Sequence, residues 1–434
     1  MAKPAHRRKQ NRRLRSALLC TAAALLCAAA VFLFLPRPAP PAVQAGPASP
    51  VSAPEESSSL PAEPESAAAP SSSAAPEPSS LPEPEPVVTA VQGTAAGDNL
   101  LHDGLYLQAA RRAQKEGRSG YDFTALYEHV FPLFSGSDLN LINAETLFSD
   151  ELEPSAYPRF CSPGDAGRAL YDMGFNVFFL ANNHIYDKGA EGLASTMRFW
   201  DSMPQDIAVS GLSPAGEEAP VPVLEKDGVR FACLAFTEMT NGLPTPSGAA
   251  YHVTLLSDEE EVRDQIERAR RQADFVIVSA HWGTENTHTV SQSQRAWAQK
   301  LADWGADLIL GTHPHVVQPI ETVTSADGRT VPVAYSLGNF VSAQIPLDNL
   351  VGIVLRFTAE KTEWPDGRTE TEIRDLAAVP VVMHYDANFA NLRLYPFSSY
   401  TEELAASHGT GGVTLAAIES ILKENIAPEY LAPG

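Results

Sequence analysis

Six side chains suited to metal binding follow short apolar runs of this sequence. They are Asp98, Glu145, Asn183, His281, His313 and His315. Carboxylate, amide and imidazole groups without a thiolate suit Mn, Fe or Zn, and six ligands suffice for one or two divalent ions. Two ions about 3.5–4 Å apart need one bridging carboxylate and can activate a hydroxide as a nucleophile. The chemistry expected of these residues is therefore metal-assisted hydrolysis or transfer.

Each motif taken alone has an ordinary structural explanation. Gly97-Asp98 is typical of a turn, and Asn183-His184 is typical of a helix cap with a surface histidine. His313-Pro314-His315 is more specific, because two imidazoles two residues apart can reach one centre. The recurrence of such residues after five separate apolar runs favours a shared metal site.

The elements that must position these residues alternate between strands and helices. Strands are expected at 88–96, 139–143, 176–181, 229–236, 275–280, 307–310 and 333–337, and helices at 105–115, 123–134, 165–173, 190–202, 258–273 and 291–304. This alternation predicts an α/β fold with buried sheets. In such sheets the ligand crevice lies beyond the carboxyl ends of the strands, where the six side chains stand. Strands at 351–357 and 377–384 and a helix at 415–422 are expected to complete the second sheet.

Charge and cysteine content exclude several classes of protein. The 434 residues carry a net charge of −22, and residues 87–434 alone carry −23. A body this acidic repels phosphate at long range, so no nucleic-acid partner is expected. Four cysteines, two of them in an apolar N-terminal segment, provide no disulfide framework or cysteine-rich zinc module.

The first 86 residues differ in composition from the rest. Residues 1–16 carry seven basic side chains and predict a cytoplasmic tail, and the uncharged residues 17–35 predict a transmembrane signal anchor. The alternative is a secretory signal peptide cleaved after Val43-Gln44-Ala45. Residues 36–86 hold 15 of the 35 prolines and predict a disordered linker. The domain at 87–434 is then expected outside a cell membrane that the chain crosses once.

Six blocks of sequence resemble the bacterial capsule synthesis family, the CapA/PgsA-like proteins of poly-γ-glutamate production. These blocks are GDNLLH (97–102), NAETLFS (143–149), ANNHIYDKGAEGL (181–193), HWGTE (281–285), GADLILGTHPHVVQPIE (305–321) and YSLGNF (335–340). The resemblance implies a calcineurin-like metallophosphoesterase sandwich, in which helices flank two sheets. It also implies a role in capsule biosynthesis, with an anionic capsule polymer or its precursor and membrane-embedded synthase subunits as partners.

The resemblance also implies a role for each candidate site residue. Asp98 and His315 would bind the first metal, Glu145 would bridge, and Asn183, His281 and His313 would bind the second. His184 would act as an acid or orient the reacting oxyanion, and Asp187 would hold the His184 imidazole in the useful tautomer. The alternative for Asp187 is a helix cap. Glu285 is expected to contact the substrate; a catalytic acid and a hydrogen-bond partner of His281 are the alternatives. Asn339 is also expected to contact the substrate, and its alternative is a turn that satisfies its own backbone.

Two positions depart from the superfamily pattern. Leu100 stands where the first histidine of an Asp-x-His motif is expected, and His102 is a possible substitute. Glu145 is one methylene longer than the usual bridging aspartate. One strong site with a weak one therefore remains an alternative to two full metal sites.

Three functions remain open from the sequence. The first is a membrane-anchored, extracytoplasmic, metal-dependent hydrolase or transferase of capsule or poly-γ-glutamate biosynthesis, which would cleave a phosphoester or a γ-linked amide. The second is a non-catalytic, metal-stabilised partner of a polymer synthase or export complex. The third is a secreted metallophosphoesterase or nucleotidase.

Overall fold

The computed structural model describes residues 85–432. Within this range no helix combines the length and apolar character needed to span a bilayer. The predicted cytoplasmic tail and anchor, and all but the last two residues of the predicted linker, lie outside the described residues.

The strands of the described region vary from two to eighteen residues in length. They are β1 Val87–Asn99, β2 Leu139–Asn143, β3 Phe148–Ser149, β4 Ser162–Pro163, β5 Val177–Phe179, β6 Ala208–Ser210, β7 Ser213–Pro214, β8 Val223–Lys226, β9 Val229–Thr237, β10 Tyr251–His252, β11 Phe275–His281, β12 Leu308–Thr312, β13 Val317–Thr324, β14 Thr330–Leu337, β15 Asn339–Val341, β16 Val351–Glu363, β17 Thr369–Asp386 and β18 Ala390–Pro396.

The helices lie mainly between these strands. They are α1 Asp103–Lys115, α2 Thr124–Tyr127, α3 Gly164–Asp172, α4 Gly189–Asp201, α5 Glu259–Gln272, α6 Gln292–Trp304, α7 Glu402–Ser407 and α8 Leu415–Asn425. Short 3-10 turns cover Phe131–Leu133, Leu347–Leu350, Ala387–Phe389 and Phe397–Ser399.

Local sequence explains where the helix before β12 begins and ends. At the start of α6, the Ser291 side chain accepts a hydrogen bond from the Gln294 backbone N–H, and the Gln294 side chain accepts one from the Ser291 N–H. This capping box satisfies two backbone donors that the helix itself leaves free. The helix ends at Gly305, whose φ of 125° is easily adopted only by glycine.

The first sheet joins the N-terminal strands to the C-terminal ones. Its order is β18-β17-β16-β1-β2-β5-β6, and β15 also pairs with β1. Strands β1, β2, β5 and β6 run parallel, so their carboxyl ends lie at one edge of the sheet. Strands β16 to β18 add to the other side of β1 in antiparallel pairs.

The second sheet has the order β13-β14-β12-β11-β9-β8. Successive side chains of a strand in this sheet point to opposite faces, and each face packs in an apolar environment. Phe231, Cys233 and Ala235 of β9 join a cluster that includes side chains from the first sheet. Ala232 and Leu234, which point the opposite way, pack in a second cluster with side chains of α5 and α6. The two sheets therefore pack face to face, and helices cover the outer face of the second one.

The α/β fold predicted from the sequence is confirmed, with two corrections. The helix expected over 123–134 is instead α2 followed by a 3-10 turn. Pro132 explains the break, because proline lacks a backbone N–H and disfavours helical geometry in the residue before it. The strands after residue 350 extend the sheet that contains β1, whereas the sequence interpretation placed them in the second sheet.

Two glycines allow the backbones at the strand ends to approach closely. A Cβ on Gly97 would lie 2.0 Å from the carbonyl oxygen of Gly338, and one on Gly311 would lie 1.9 Å from that of Tyr335. Neither position has room for a side chain. These glycines precede Asp98 and Thr312, so the close approach sets where the last residues of β1 and β12 lie.

Candidate metal centre

The six predicted ligands converge at the edge where the parallel strands of both sheets end. Asp98 is near the end of β1, Glu145 and Asn183 follow β2 and β5, and His281 is the last residue of β11. His313 and His315 follow β12. Each of the six residues has 3% or less of its surface exposed. The structure thus brings together side chains separated by more than 200 positions in sequence, while their function as metal ligands stays a prediction.

Glu145 belongs to two overlapping groups of potential ligands. One group contains Glu145, His281 and His313, and the other contains Asp98, Glu145 and His315. Within each group the ligand atoms lie within 4.8 Å of one another. Glu145 Oε1 is 3.6 Å from His281 Nε2 and 3.8 Å from His315 Nε2. The Glu145 carboxylate therefore occupies the position between the two groups that a bridging ligand requires.

Asp98 connects the end of the first sheet to the His-Pro-His turn of the second. Its Oδ1 accepts a hydrogen bond of 2.7 Å from Asn143 Nδ2, and its Oδ2 accepts one of 3.2 Å from the His313 backbone N–H. His315 Nδ1 lies 3.1 Å from Asp98 Oδ2 and 3.1 Å from Asn339 Oδ1. These contacts hold the His315 ring against the Asp98 carboxylate.

His281 and Asn183 form the opposite side of the cluster. His281 Nε2 lies 3.1 Å from Asn183 Oδ1, so the two potential ligand atoms are adjacent. The other ring nitrogen, Nδ1, lies 3.0 Å from Thr312 Oγ1 and 3.4 Å from Asn143 Nδ2. Polar contacts on both nitrogens orient the His281 ring.

The turn that carries His313 and His315 has an uncommon backbone conformation. Their φ values are 95° and 60°, in the left-handed region that non-glycine residues rarely adopt. Strain of this kind costs about 1–3 kcal/mol per residue and persists where the surrounding structure imposes it. Here the Asp98 carboxylate accepts the His313 N–H, and one ring nitrogen of His313 lies within 4.8 Å of one of His315.

Several buried polar atoms of the cluster have no hydrogen-bond partner among residues 85–432. They are both carboxylate oxygens of Glu145, Asn143 Oδ1 and His313 Nδ1. Buried groups of this type are normally paired, because an unsatisfied one costs about 1–3 kcal/mol. All four atoms have lone pairs available to a cation. The donor set and its free lone pairs therefore fit a divalent metal ion.

Burial and mutual proximity shift the pKa values of the cluster. Burial, followed by the charge of Asp98, raises the pKa of Glu145 well above its usual value. Burial and the neighbouring imidazoles lower the pKa of His281, and similar causes lower that of His313 to about 4. For His315, burial acts to lower the pKa, but the hydrogen bond to Asp98 and the attraction of carboxylates outweigh it, so the pKa is raised. His281 and His313 are consequently neutral near pH 7, as a metal-binding imidazole must be.

His184 and Asp187 lie beside the cluster at the wall of a cleft of about 320 Å³. His184 Nδ1 is 2.8 Å from Asp187 Oδ2, and the same oxygen accepts a 2.6 Å hydrogen bond from the Phe160 N–H. The edge-on contact of Phe160 with the His184 ring, 4.7 Å between centroids, fixes the ring plane. The predicted orientation of His184 by Asp187 therefore has the geometry it needs.

Glu285 also lines this cleft, whereas Asn339 lies deeper. Glu285 is exposed and forms a third group of potential ligands with His313 and His315. Asn339 is buried; its Nδ2 donates to Gln344 Oε1 and to the Asn349 carbonyl oxygen. The contacts of Asn339 indicate that it orients His315, while its predicted role in binding substrate stays untested.

His102 does not replace the histidine that the superfamily pattern places at position 100, where this chain has a leucine. The Leu100 side chain is buried. His102 Nδ1 lies 3.2 Å from the Ala343 backbone nitrogen, and its ring packs edge-on against Phe160. Within the described chain, none of the three potential ligand groups includes His102.

The sequence interpretation missed four residues that contribute to the site. Asn143 and Thr312 contact His281, and Asn182 Nδ2 donates to the Ala144 carbonyl oxygen at 2.9 Å. Asn182 thereby ties the end of β2 to the end of β5. Arg159 lines the cleft. Asn143 and Thr312 are polar residues at the last positions of apolar strands, a signal that could have revealed them.

The fold and the site define a class of protein: an α/β sandwich with a buried histidine and carboxylate cluster at the strand ends, suited to a divalent cation. The chain belongs to the bacterial capsule synthesis protein family PGA_cap, which it matches over residues 93–344. The PGA biosynthesis protein CapA of Bacillus subtilis is 32% identical over 223 residues, covering 51% of this chain and 57% of that protein. The capsule biosynthesis protein CapA of Bacillus anthracis is 30% identical over 244 residues, covering 54% and 57%. The chain thus spans little more than half the length of these curated relatives.

Two solved structures align with this chain at low similarity. The NAD nucleotidase of Haemophilus influenzae aligns with 80% of this chain and 57% of its own, at 13% identity and a TM-score of 0.38. The alignment with a putative 5'-nucleotidase from Staphylococcus aureus covers 71% of this chain and 54% of that chain, at 13% identity and a TM-score of 0.39. At these scores the alignments assign no activity to this chain.

Proposed function

We propose that this protein is a metal-dependent hydrolase or transferase of bacterial capsule biosynthesis that acts on an anionic polymer or its precursor. The observation that supports this function is the position of Glu145, buried between two groups of potential ligands and within the same site as the His184–Asp187 pair. A purely structural cluster would be expected to satisfy both oxygens of a buried carboxylate internally. Family membership supports the biological role.

The deep cluster would hold one or two ions of Mn, Fe or Zn. Asp98, Glu145 and His315 would hold one ion, and Asn183, His281 and His313, with Glu145 shared, would hold the other. When bound, such an ion supplies Lewis-acid catalysis and lowers the pKa of a coordinated water. Asn143 and Asn339 would keep Asp98 and His315 in position through the hydrogen bonds described above.

His184 is suited to transferring a proton to or from the substrate. It belongs to none of the three potential ligand groups within residues 85–432, and its wall position in the cleft gives it access to a bound molecule. The Asp187 carboxylate accepts from Nδ1–H, which leaves Nε2 as the nitrogen that can exchange a proton. A positioned acid of this kind contributes about 10²–10⁴-fold to a reaction rate.

Arg159 supports an anionic substrate despite the acidity of the domain. It is the one Arg or Lys among the cleft-lining residues, and its guanidinium makes no ion pair with any residue from 85 to 432. Its single hydrogen bond there is a long one, 3.5 Å, to the Asp187 carbonyl oxygen. A free guanidinium can pair with a carboxylate or a phosphate. Poly-γ-glutamate offers the first group, and a phosphoester offers the second.

The proposed cellular context rests on the N-terminal sequence and on the relatives. Residues 17–35 would anchor the chain as a single-pass protein, with a cytoplasmic N-terminus and the domain outside the cell. Membrane-embedded synthase subunits are the proposed partners there. The names of the Bacillus relatives refer to PGA and capsule biosynthesis and support that biological role.

Metal analysis combined with two activity assays tests the proposed function. The full-length protein is expected to bind Mn²⁺ or Zn²⁺ and to cleave either a generic phosphodiester or poly-γ-glutamate. Asp98→Asn and His281→Ala should each abolish the turnover. Normal capsule production by these two variants would instead support a non-catalytic partner of the synthase. Phosphate release from nucleotides without an effect on surface polymer would support a secreted nucleotidase.

A further inference from the structure

The Glu285 carboxylate lies beside two histidines of the candidate metal centre, His313 and His315. One of its carboxylate oxygens and one ring nitrogen each of His313 and His315 lie within 4.8 Å of one another. Both imidazoles are buried and belong to the two deeper ligand groups, whereas Glu285 is exposed on the cleft side. Glu285 is therefore the carboxylate that faces the cluster from the direction of solvent.

Backbone contacts hold Glu285 beside the turn that carries these histidines. The Asn286 N–H donates a 2.8 Å hydrogen bond to the carbonyl oxygen of Pro314, the residue between His313 and His315. Asn286 Oδ1 accepts a further bond of 2.7 Å from Asn349 Nδ2. The Glu285 loop and the His-Pro-His turn are thus joined at the residue next to Glu285, and the proximity does not depend on a freely rotating side chain alone.

The deeper groups leave room for another ligand. The group of Asp98, Glu145 and His315 contains three ligand residues, and the group of Glu145, His281 and His313 contains four when Asn183 is included. Protein sites for Mn, Fe and Zn take four to six ligands. In the part of the chain that the structure describes, the Glu285 carboxylate accepts no hydrogen bond and forms no ion pair that would hold it elsewhere. The buried side chain at position 100 is a leucine, which provides no ligand.

We infer that Glu285 is a metal ligand, which completes the coordination on the cleft side together with His313 and His315. This inference rests on the proposed metal-dependent function and assigns Glu285 a role beyond contact with substrate. Because its carboxylate is exposed, Glu285 is the ligand that an incoming anionic group can replace without unfolding the buried cluster.

Metal affinity of the full-length protein tests the assignment without any activity assay. The affinity for Mn²⁺ or Zn²⁺ is measured by competition with a chromophoric chelator, and the absorption of bound Co²⁺ reports the ligand set. Loss of a residue that hydrogen-bonds to a metal ligand typically weakens metal affinity by about 10–100-fold. Loss of a ligand should have at least this effect, so Glu285→Gln is expected to weaken metal binding by about 100-fold or more and to change the Co²⁺ spectrum. Glu285→Asp, which keeps the charge, should fall between wild type and Glu285→Gln.

Matched controls separate this inference from the proposed function. Glu217→Gln removes an exposed carboxylate outside all three ligand groups and should leave affinity and spectrum unchanged. His281→Ala should remove binding. Affinity of Glu285→Gln within twofold of wild type, with an unchanged Co²⁺ spectrum, would overturn the inference while the proposed function stands. Absence of metal binding by the wild-type protein would overturn both.

Discussion

Replacing Glu145 by glutamine should stabilise the metal-free protein while removing its response to metal. Both Glu145 oxygens are buried without a hydrogen-bond partner among the described residues, and Asp98 is a second carboxylate nearby. Glutamine keeps the shape, removes the negative charge and can donate a hydrogen bond toward Asp98. Relief of one unsatisfied buried group is worth about 1–3 kcal/mol.

The expected change in melting temperature follows from the size of the domain. An unfolding entropy of about 2.1 cal/mol/K per residue over about 350 residues means that 1 kcal/mol shifts the Tm by about 1.4 °C. Glu145→Gln should therefore raise the metal-free Tm by about 1–4 °C. A metal at 100 times its Kd stabilises wild type by about 2.7 kcal/mol, or about 4 °C. A site weakened about 100-fold retains about 0.4 kcal/mol at the same concentration, or less than about 1 °C.

The stabilisation of the metal-free protein by Glu145→Gln should also depend on pH. The folded-state pKa of Glu145 is raised, so metal-free wild type loses stability as the pH rises from the unfolded-state value through the folded-state value. The stabilisation of Glu145→Gln over wild type is therefore expected to be larger at about pH 8 than at about pH 5.

Differential scanning calorimetry on the full-length protein, with chelator and then with Mn²⁺ or Zn²⁺, measures these quantities. Glu217→Gln serves as the control and should match wild type in both conditions. The reasoning is refuted if Glu145→Gln lowers the metal-free Tm by several degrees and still gains the full wild-type shift on addition of metal.

Three further substitutions test separate parts of the site. His184→Asn should lower kcat by about 10²–10⁴-fold without changing metal content by elemental analysis, and a loss of metal would contradict its role as a proton donor. Asn182→Ala should destabilise the protein by about 1–3 kcal/mol in urea unfolding, because it leaves the buried Ala144 carbonyl without its side-chain donor; an unchanged midpoint would contradict this. Gly311→Ala should prevent normal folding or lower the Tm strongly, because its Cβ would meet the Tyr335 carbonyl oxygen at 1.9 Å, and a normal Tm would show that the strands can separate there.

Much of the fold and most of the cluster could be predicted from local sequence. Apolar runs with polar residues at their ends identify nine of the fourteen strands in the two large sheets, and the strand expected at 139–143 matches β2 residue for residue. The sequence interpretation missed the other five strands, which are β6, β8, β13, β15 and β18. The same pattern selected Asp98, Glu145, Asn183, His281, His313 and His315, which the structure brings together. These features depend on residue type and on a period of two, both of which are readable within a few positions.

What the sequence alone determined about this protein is its class: alternating strands and helices, metal-competent residues at the strand ends, and the blocks that place it in the capsule synthesis family. Only the tertiary structure decided that none of the three ligand groups in the described residues includes His102, that Glu285 reaches His313 and His315, and that the C-terminal strands extend the sheet of β1. The reason is that these outcomes depend on how two sheets pack face to face. Asp98 and His315, for example, are 217 positions apart in the sequence, and no local sequence pattern determines how close they lie in space.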